Sequence, residues 1–158
     1  MTDRISRLST SLADLDVDAM LIVNDVNVRY LSGFTGDSSW LLVLPTSVTI
    51  LSDGRYQVQL EQECPSIPAA IRPPGQRIGE LFAEVASSYN LRRIGIESGH
   101  VSIAMLRDWE ARLPEMTWVE TSSVVENFRA IKDDFEIATI RQSIAIAQQA
   151  FRTVTANF

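Results

Sequence analysis

Two apolar rhythms alternate along this chain, and their alternation predicts its elements. Ile5, Leu8, Leu12 and Leu15 recur at helical spacing, which predicts the buried face of a helix over about residues 3–15. Ala19-Met20-Leu21-Ile22-Val23 is then continuous, the pattern of a strand buried on both faces. Asn24 and Asp25 break it, with Asp25 placed to cap a helical turn through Tyr30. A loop carrying Gly33 and Gly36 is expected over residues 31–39. The runs Trp40–Leu44 and Val48–Leu51, joined by Pro45-Thr46-Ser47, predict an antiparallel hairpin. Arg55–Glu63 has helical spacing, and Pro65 stops it.

The rhythm then settles into strand and helix in turn. Ile67–Ile71 predicts a fourth strand, followed by the hard turn Pro73-Pro74-Gly75. Ile78, Leu81, Phe82, Val85 and Tyr89 form one helical face, Ile94–Glu97 a strand, Leu106, Trp109 and Leu113 another helix, and Thr117–Glu120 a short sixth strand. An early hairpin followed by alternating elements predicts an α/β fold: a mixed sheet of about six strands with helices on both faces.

The last segment is different. Asp133 or Asp134 caps a helix expected to run to the end, and Ile137, Ile140, Ile144, Ala147, Phe151, Val154 and Phe158 keep a strict heptad-like spacing. Such a narrow apolar seam requires a partner. The boundary is expected between Phe128 and Asp134, giving a compact domain over residues 1–128 and a linker with a helix over 129–158.

Composition narrows the function. Of 158 residues, 46% are hydrophobic and 22% charged, enough for an ordinary core. A net charge of −6 and a single lysine, Lys132, argue against nucleic acid or an anionic membrane as partner. No apolar run reaches the roughly 20 residues of a membrane span. The Met1-Thr2-Asp3-Arg4 start leads into an amphipathic pattern, and Cys64 has no second cysteine to pair with. Both features point to a cytoplasmic protein.

The inventory of reactive side chains is short. His100 is the only histidine, and one His with one Cys cannot build a zinc site of those ligands. His100 reads as a surface or capping residue, Cys64 as a small buried one, and Asp133, Asp134 and Glu136 as helix-start carboxylates. Two constellations carry more. Asp53-Gly54-Arg55-Tyr56 lies at a strand-to-helix junction, where Arg55 offers either a planar fork for a carboxylate or an internal partner for Asp53. Thr35-Gly36-Asp37-Ser38-Ser39-Trp40 is either an exposed loop whose Trp40 opens the next strand or a loop that reaches a neighbouring pocket.

Taken in order, Asn27-Val28-Arg29-Tyr30-Leu31-Ser32-Gly33-Phe34-Thr35-Gly36, the hairpin, Leu51-Ser52-Asp53-Gly54-Arg55-Tyr56, Ile94-Gly95-Ile96-Glu97 and Arg129-Ala130-Ile131-Lys132-Asp133 resemble the N-terminal domain of the creatinase / Xaa-Pro peptidase family. The resemblance spans essentially the whole chain. It implies an α/β domain ahead of a "pita-bread" catalytic domain, of which residues 129–158 would be the linker and first helix of a truncated part. It implies a parent enzyme that cleaves before proline with two divalent metals, manganese or cobalt, held in the absent domain on two Asp, one His and two Glu. No catalytic or metal residue is then expected in this chain. The resemblance further implies a homodimer acting on proline-containing peptides, with Asp37, Trp40 and Arg55 at the substrate access. Asp37-Ser38-Ser39-Trp40 departs from the small residues that many members carry there. Creatine amidinohydrolases and protein-binding chaperones of the same architecture supply a non-peptidase alternative, and a stand-alone α/β binding module a further one. The exposed seam is expected to drive self-association.

Overall fold

The structure, a computed structural model, describes residues 3–156. Helix α1 covers Asp3–Ser11 and is followed by strand β1, Ala19–Ile22. The predicted helix to residue 15 is shorter because the chain turns at Asp16, whose φ of 53° is left-handed. Leu12 is still buried from that turn. Helix α2, Asp25–Ser32, is capped by Asn24 rather than Asp25: the Asn24 side chain accepts from the Val26 amide. Gly33 ends it with φ 83°, a conformation glycine adopts without strain.

Strands β2, Trp40–Val43, and β3, Val48–Asp53, form the expected hairpin. A short 3-10 turn, Gly54–Tyr56, leads into α3, Gln57–Glu63. Strand β4, Ala69–Arg72, starts later than the apolar run suggested, because Cys64 and Ile67 close a turn through Ile67 N–H and Cys64 C=O. Then come α4, Ile78–Ser88; β5, Arg93–Glu97; α5, Ile103–Arg112; β6, Thr117–Thr121; α6, Val124–Ala130; and α7, Asp134–Thr155. The sequence pattern had left α6 unassigned.

The six strands stand in the order β4-β3-β2-β1-β5-β6. The pairs β1–β2 and β2–β3 are antiparallel, while β3–β4, β1–β5 and β5–β6 are parallel. The sheet is mixed, as the sequence predicts. All four residues of β1 and of β2 are buried, so both faces of the sheet are covered. On one face Leu21, Leu42, Leu51, Ile94 and Ile96 pack with Phe82 of α4 and Trp109 of α5. The residues between them in sequence, such as Met20, Leu41 and Ile50, are buried on the other side, as are Ile5 and Leu8 of α1 and Val28 and Leu31 of α2.

A carboxylate locks the middle of this sheet. Glu97, the last residue of β5 and 5% exposed, accepts from the Val23 and Asn24 amides at 2.7 and 2.9 Å and from Asn27 Nδ2 at 2.6 Å. A buried carboxylate is costly unless its oxygens are satisfied, and here backbone and amide donors satisfy them.

The chain divides into two compact units that part between Val125 and Glu126, inside α6. The second unit is dominated by α7. Asp133 caps α7 in a reciprocal box with Glu136. Its side chains at Ile140, Ile144, Phe151 and Val154 are exposed. Phe158, the last member of the expected seam, lies outside the described residues.

Candidate functional site

Asp53 organises the junction between β3 and the 3-10 turn. Its carboxylate accepts the Arg55 backbone amide at 3.0 Å, which caps the turn, and the Arg55 Nε at 3.0 Å and Nη2 at 2.8 Å. Arg72, at the end of β4, adds a further hydrogen bond from Nη2 at 2.9 Å. These bonds, chiefly those from Arg55, hold the Asp53 carboxyl down at about 2 and raise the Arg55 guanidinium further. The fork of Arg55 is therefore closed on Asp53, while its side chain remains 68% exposed.

The loop before β2 is tied down residue by residue. Thr35 donates its amide and its hydroxyl to the Glu63 carboxylate, each at 2.7 Å. The Ser38 amide donates to Asp25 Oδ1, and the buried hydroxyls of Ser39 and Ser52 meet at 2.7 Å. The Tyr56 hydroxyl donates to Asp37 Oδ1 at 2.5 Å, which lowers the Asp37 pKa and raises that of Tyr56. Gly36 lies so close to the Phe34 ring that a Cβ there would overlap it. Phe34 is fully buried and meets Tyr56 edge-on at 5.4 Å.

Two of the three predicted access residues come together. Asp37 and Arg55 are both exposed, and Tyr56 links them: its hydroxyl binds Asp37 and its ring lies 5.3 Å from the Arg55 guanidinium. Trp40 is placed elsewhere. It is 9% exposed and stacks edge-on with Trp109 and Phe82 at 5.4 and 6.3 Å, so its indole is a core group that opens β2 and supports the loop from below. Of the two readings of the loop, the one in which Trp40 opens the next strand describes its place at the start of β2, where the register turns the side chain into the core.

Next to Asp53 opens a cleft of about 540 Å³ lined by Asp53, Gly54, Arg55, Ile71, Arg72, Pro73 and Pro74. Sequence reasoning missed Arg72. It sits 19 residues from Asp53 and reaches it only through the parallel register that sets Asp53 opposite Arg72. Glu97 was also missed, although a carboxylate closing an apolar strand was a visible signal.

The residues set aside as structural have ordinary surroundings. Cys64 is buried, its thiol faces the Ser32 carbonyl at 3.5 Å, and burial pushes its pKa up, away from a reactive thiolate. The His100 ring lies 2.9 Å from Asn24 Nδ2 on the surface. Among the described residues, no three His, Cys, Asp or Glu side chains converge to hold a metal ion. Among the same residues no helix is long and apolar enough to cross a membrane.

A mixed six-stranded sheet with this hairpin and this Asp-Gly-Arg-Tyr junction is an α/β domain, and residues 4–131 match the Creatinase/Prolidase N-terminal domain family. The chain belongs to that family. It is 31% identical to the N-terminal domain of the cytoplasmic peptidase PepQ from Mycobacterium tuberculosis H37Rv, with a TM-score of 0.74 over 80% of this chain and 98% of that one. An X-Pro aminopeptidase from Thermotoga maritima MSB8 is 26% identical, with a TM-score of 0.86 over 99% of this chain and 44% of that one. The uncharacterized peptidase YqhT of Bacillus subtilis (strain 168) is 26% identical over 151 residues, covering 96% of this chain. The chain spans 38–44% of the length of the curated relatives it matches.

Proposed function

We propose that this chain is the non-catalytic N-terminal domain of a proline-specific metallopeptidase, an Xaa-Pro aminopeptidase or dipeptidase, and that it supports dimerisation and shapes substrate access. The observation that carries the reading is the family match over residues 4–131 together with the likeness to a peptidase's N-terminal domain at 31% identity. Residues 1–128 form the N-terminal domain, and 129–158 the linker and first helix of the catalytic one. The two divalent metals and their ligands belong to the remainder of the parent protein. Location in the cytoplasm accords with the description of PepQ.

Within this reading Asp37 and Arg55 present the contact surface, and Trp40 holds the loop in place from the core. The pinned loop suits that task, because a loop already ordered loses little entropy when it meets substrate or a second subunit. The exposed apolar residues of α7 supply a surface for the rest of the parent protein.

The test is peptidase activity on an Xaa-Pro dipeptide and an Xaa-Pro tripeptide with added manganese, run on this chain and on the full-length gene product. Activity in the longer product alone is expected, and the preferred peptide length separates aminopeptidase from dipeptidase. Activity in this chain alone overturns the reading. Inactivity of both transfers the weight to the non-peptidase branch of the family.

A further inference from the structure

We infer that the cleft between Arg55 and Arg72 is a carboxylate-binding subsite for a small ligand with an apolar body beside its carboxylate, as at the end of a short peptide. The inference deepens the access role proposed above and takes its biological meaning from it, while the binding itself is a property of this chain.

The chemistry begins with the charge count. Among the residues that line the cleft two guanidiniums share the single carboxylate of Asp53, one positive charge more than negative, with the Asp37 carboxylate acting on Arg55 from outside the lining. Donors are left over as well. Arg55 spends Nε and Nη2 on Asp53, and Arg72 spends Nη2 on Asp53 and Nη1 on the Gln76 carbonyl at 2.6 Å. Arg55 Nη1 and Arg72 Nε have no hydrogen-bond partner among the described residues. Asp53 thus acts as a brace: it holds both forks in fixed positions and does not exhaust them, so little side-chain entropy remains to be lost on binding.

The walls select the rest of the ligand. Ile71, Pro73 and Pro74 give the cleft an apolar side, and the two prolines have rigid φ angles and no N–H to offer. A volume of about 540 Å³ accommodates a dipeptide-sized molecule. An apolar wall beside surplus guanidinium donors favours a carboxylate with a compact apolar neighbour over a bare inorganic anion.

The experiment follows the arginine side-chain N–H resonances of this chain by NMR. The probes are N-acetyl-Ala-Pro, its carboxamide, acetate and chloride. Saturable shifts of Arg55 and Arg72 with the acid are expected, at least about tenfold weaker with the carboxamide. Arg55→Gln, at an exposed side chain, is expected to weaken binding about tenfold while the remaining amide spectrum is unchanged. Acetate is expected to bind more weakly than the peptide acid, and acetate binding as tightly overturns the selection of an apolar body by the proline wall. Equal shifts with carboxamide or chloride, or none that saturate, overturn it, as does unchanged binding in Arg55→Gln with Arg72→Gln as the second variant. Binding here without peptidase activity in the full-length product keeps the subsite and removes the peptidase reading; activity without binding does the reverse.

Discussion

Ile94 and Ile144 are the same residue in two different situations. Ile94, on β5, is completely buried against α4 and α5, while Ile144, on α7, is 50% exposed. Both were marked by apolar periodicity, and periodicity correctly placed one on a strand and the other on a helix. Periodicity states which face of an element is apolar; only the tertiary structure states what covers that face. The first unit supplies its own cover. The α7 stripe does not find one within its own helix.

The sharpest way to break this contrast is to cut each region equally. Trp109→Ala removes a side chain that is 1% exposed and meets Trp40, Phe82 and Trp118. It is expected to cost about 3–5 kcal/mol in urea unfolding. Phe151→Ala on α7, where the ring is 70% exposed, is expected to stay within about 0.5 kcal/mol and to reduce self-association in sedimentation instead. Comparable losses at both sites would show that α7 is part of the folded core.

A smaller effect tests the loop. Gly36→Ala drives a Cβ into the buried Phe34 ring, and roughly 1–3 kcal/mol of destabilisation is expected, read from the same unfolding curves. If the variant is as stable as the parent, the loop is looser than its hydrogen bonds suggest.

Two titrations follow. The folded-state pKa of Asp53 is depressed to about 2, so its contribution is present above the ordinary carboxylate range and is lost as pH falls from about 4 towards 2. Asp53→Asn is expected to flatten the stability profile across that interval. Last, Tyr56→Phe removes the donor that most lowers the Asp37 pKa. The Asp37 midpoint, followed by carboxyl carbon NMR, is expected to rise towards the ordinary value with little change in overall stability.

The sequence made the order of the strands' appearance legible, and with it the hairpin and the mixed sheet. Local signals sufficed there, because a turn such as Pro45-Thr46-Ser47 lies between the strands it joins. They were weaker where a choice depended on atoms far along the chain. Either Asn24 or Asp25 suits an N-cap, and the winner is the one whose backbone amide is also held by Glu97, 73 residues away. The Asp53–Arg55 pair was visible as one of two readings because its partners are neighbours. Arg72 was invisible because only the β3–β4 register brings it in. The resemblance implied an access role for Trp40, while its burial is decided by Phe82 of α4 and Trp109 of α5.

The place of β1 also sets a folding schedule. This strand lies between β2, which follows it closely, and β5, whose residues Ile94–Ile96 pair with Ala19–Leu21. The β2–β3 hairpin, complete at Asp53, and its pairing with β1 can assemble early, but the second side of β1 must wait for β5, which begins only at Arg93. Loop closure of that length slows folding and leaves an open strand edge meanwhile. Glu97 ends the late-arriving strand and binds the amides just beyond β1. On a ribosome, the sheet would remain a half-built structure with an adhesive edge until that glutamate emerged, which makes the interval before it the period of greatest exposure to misassembly.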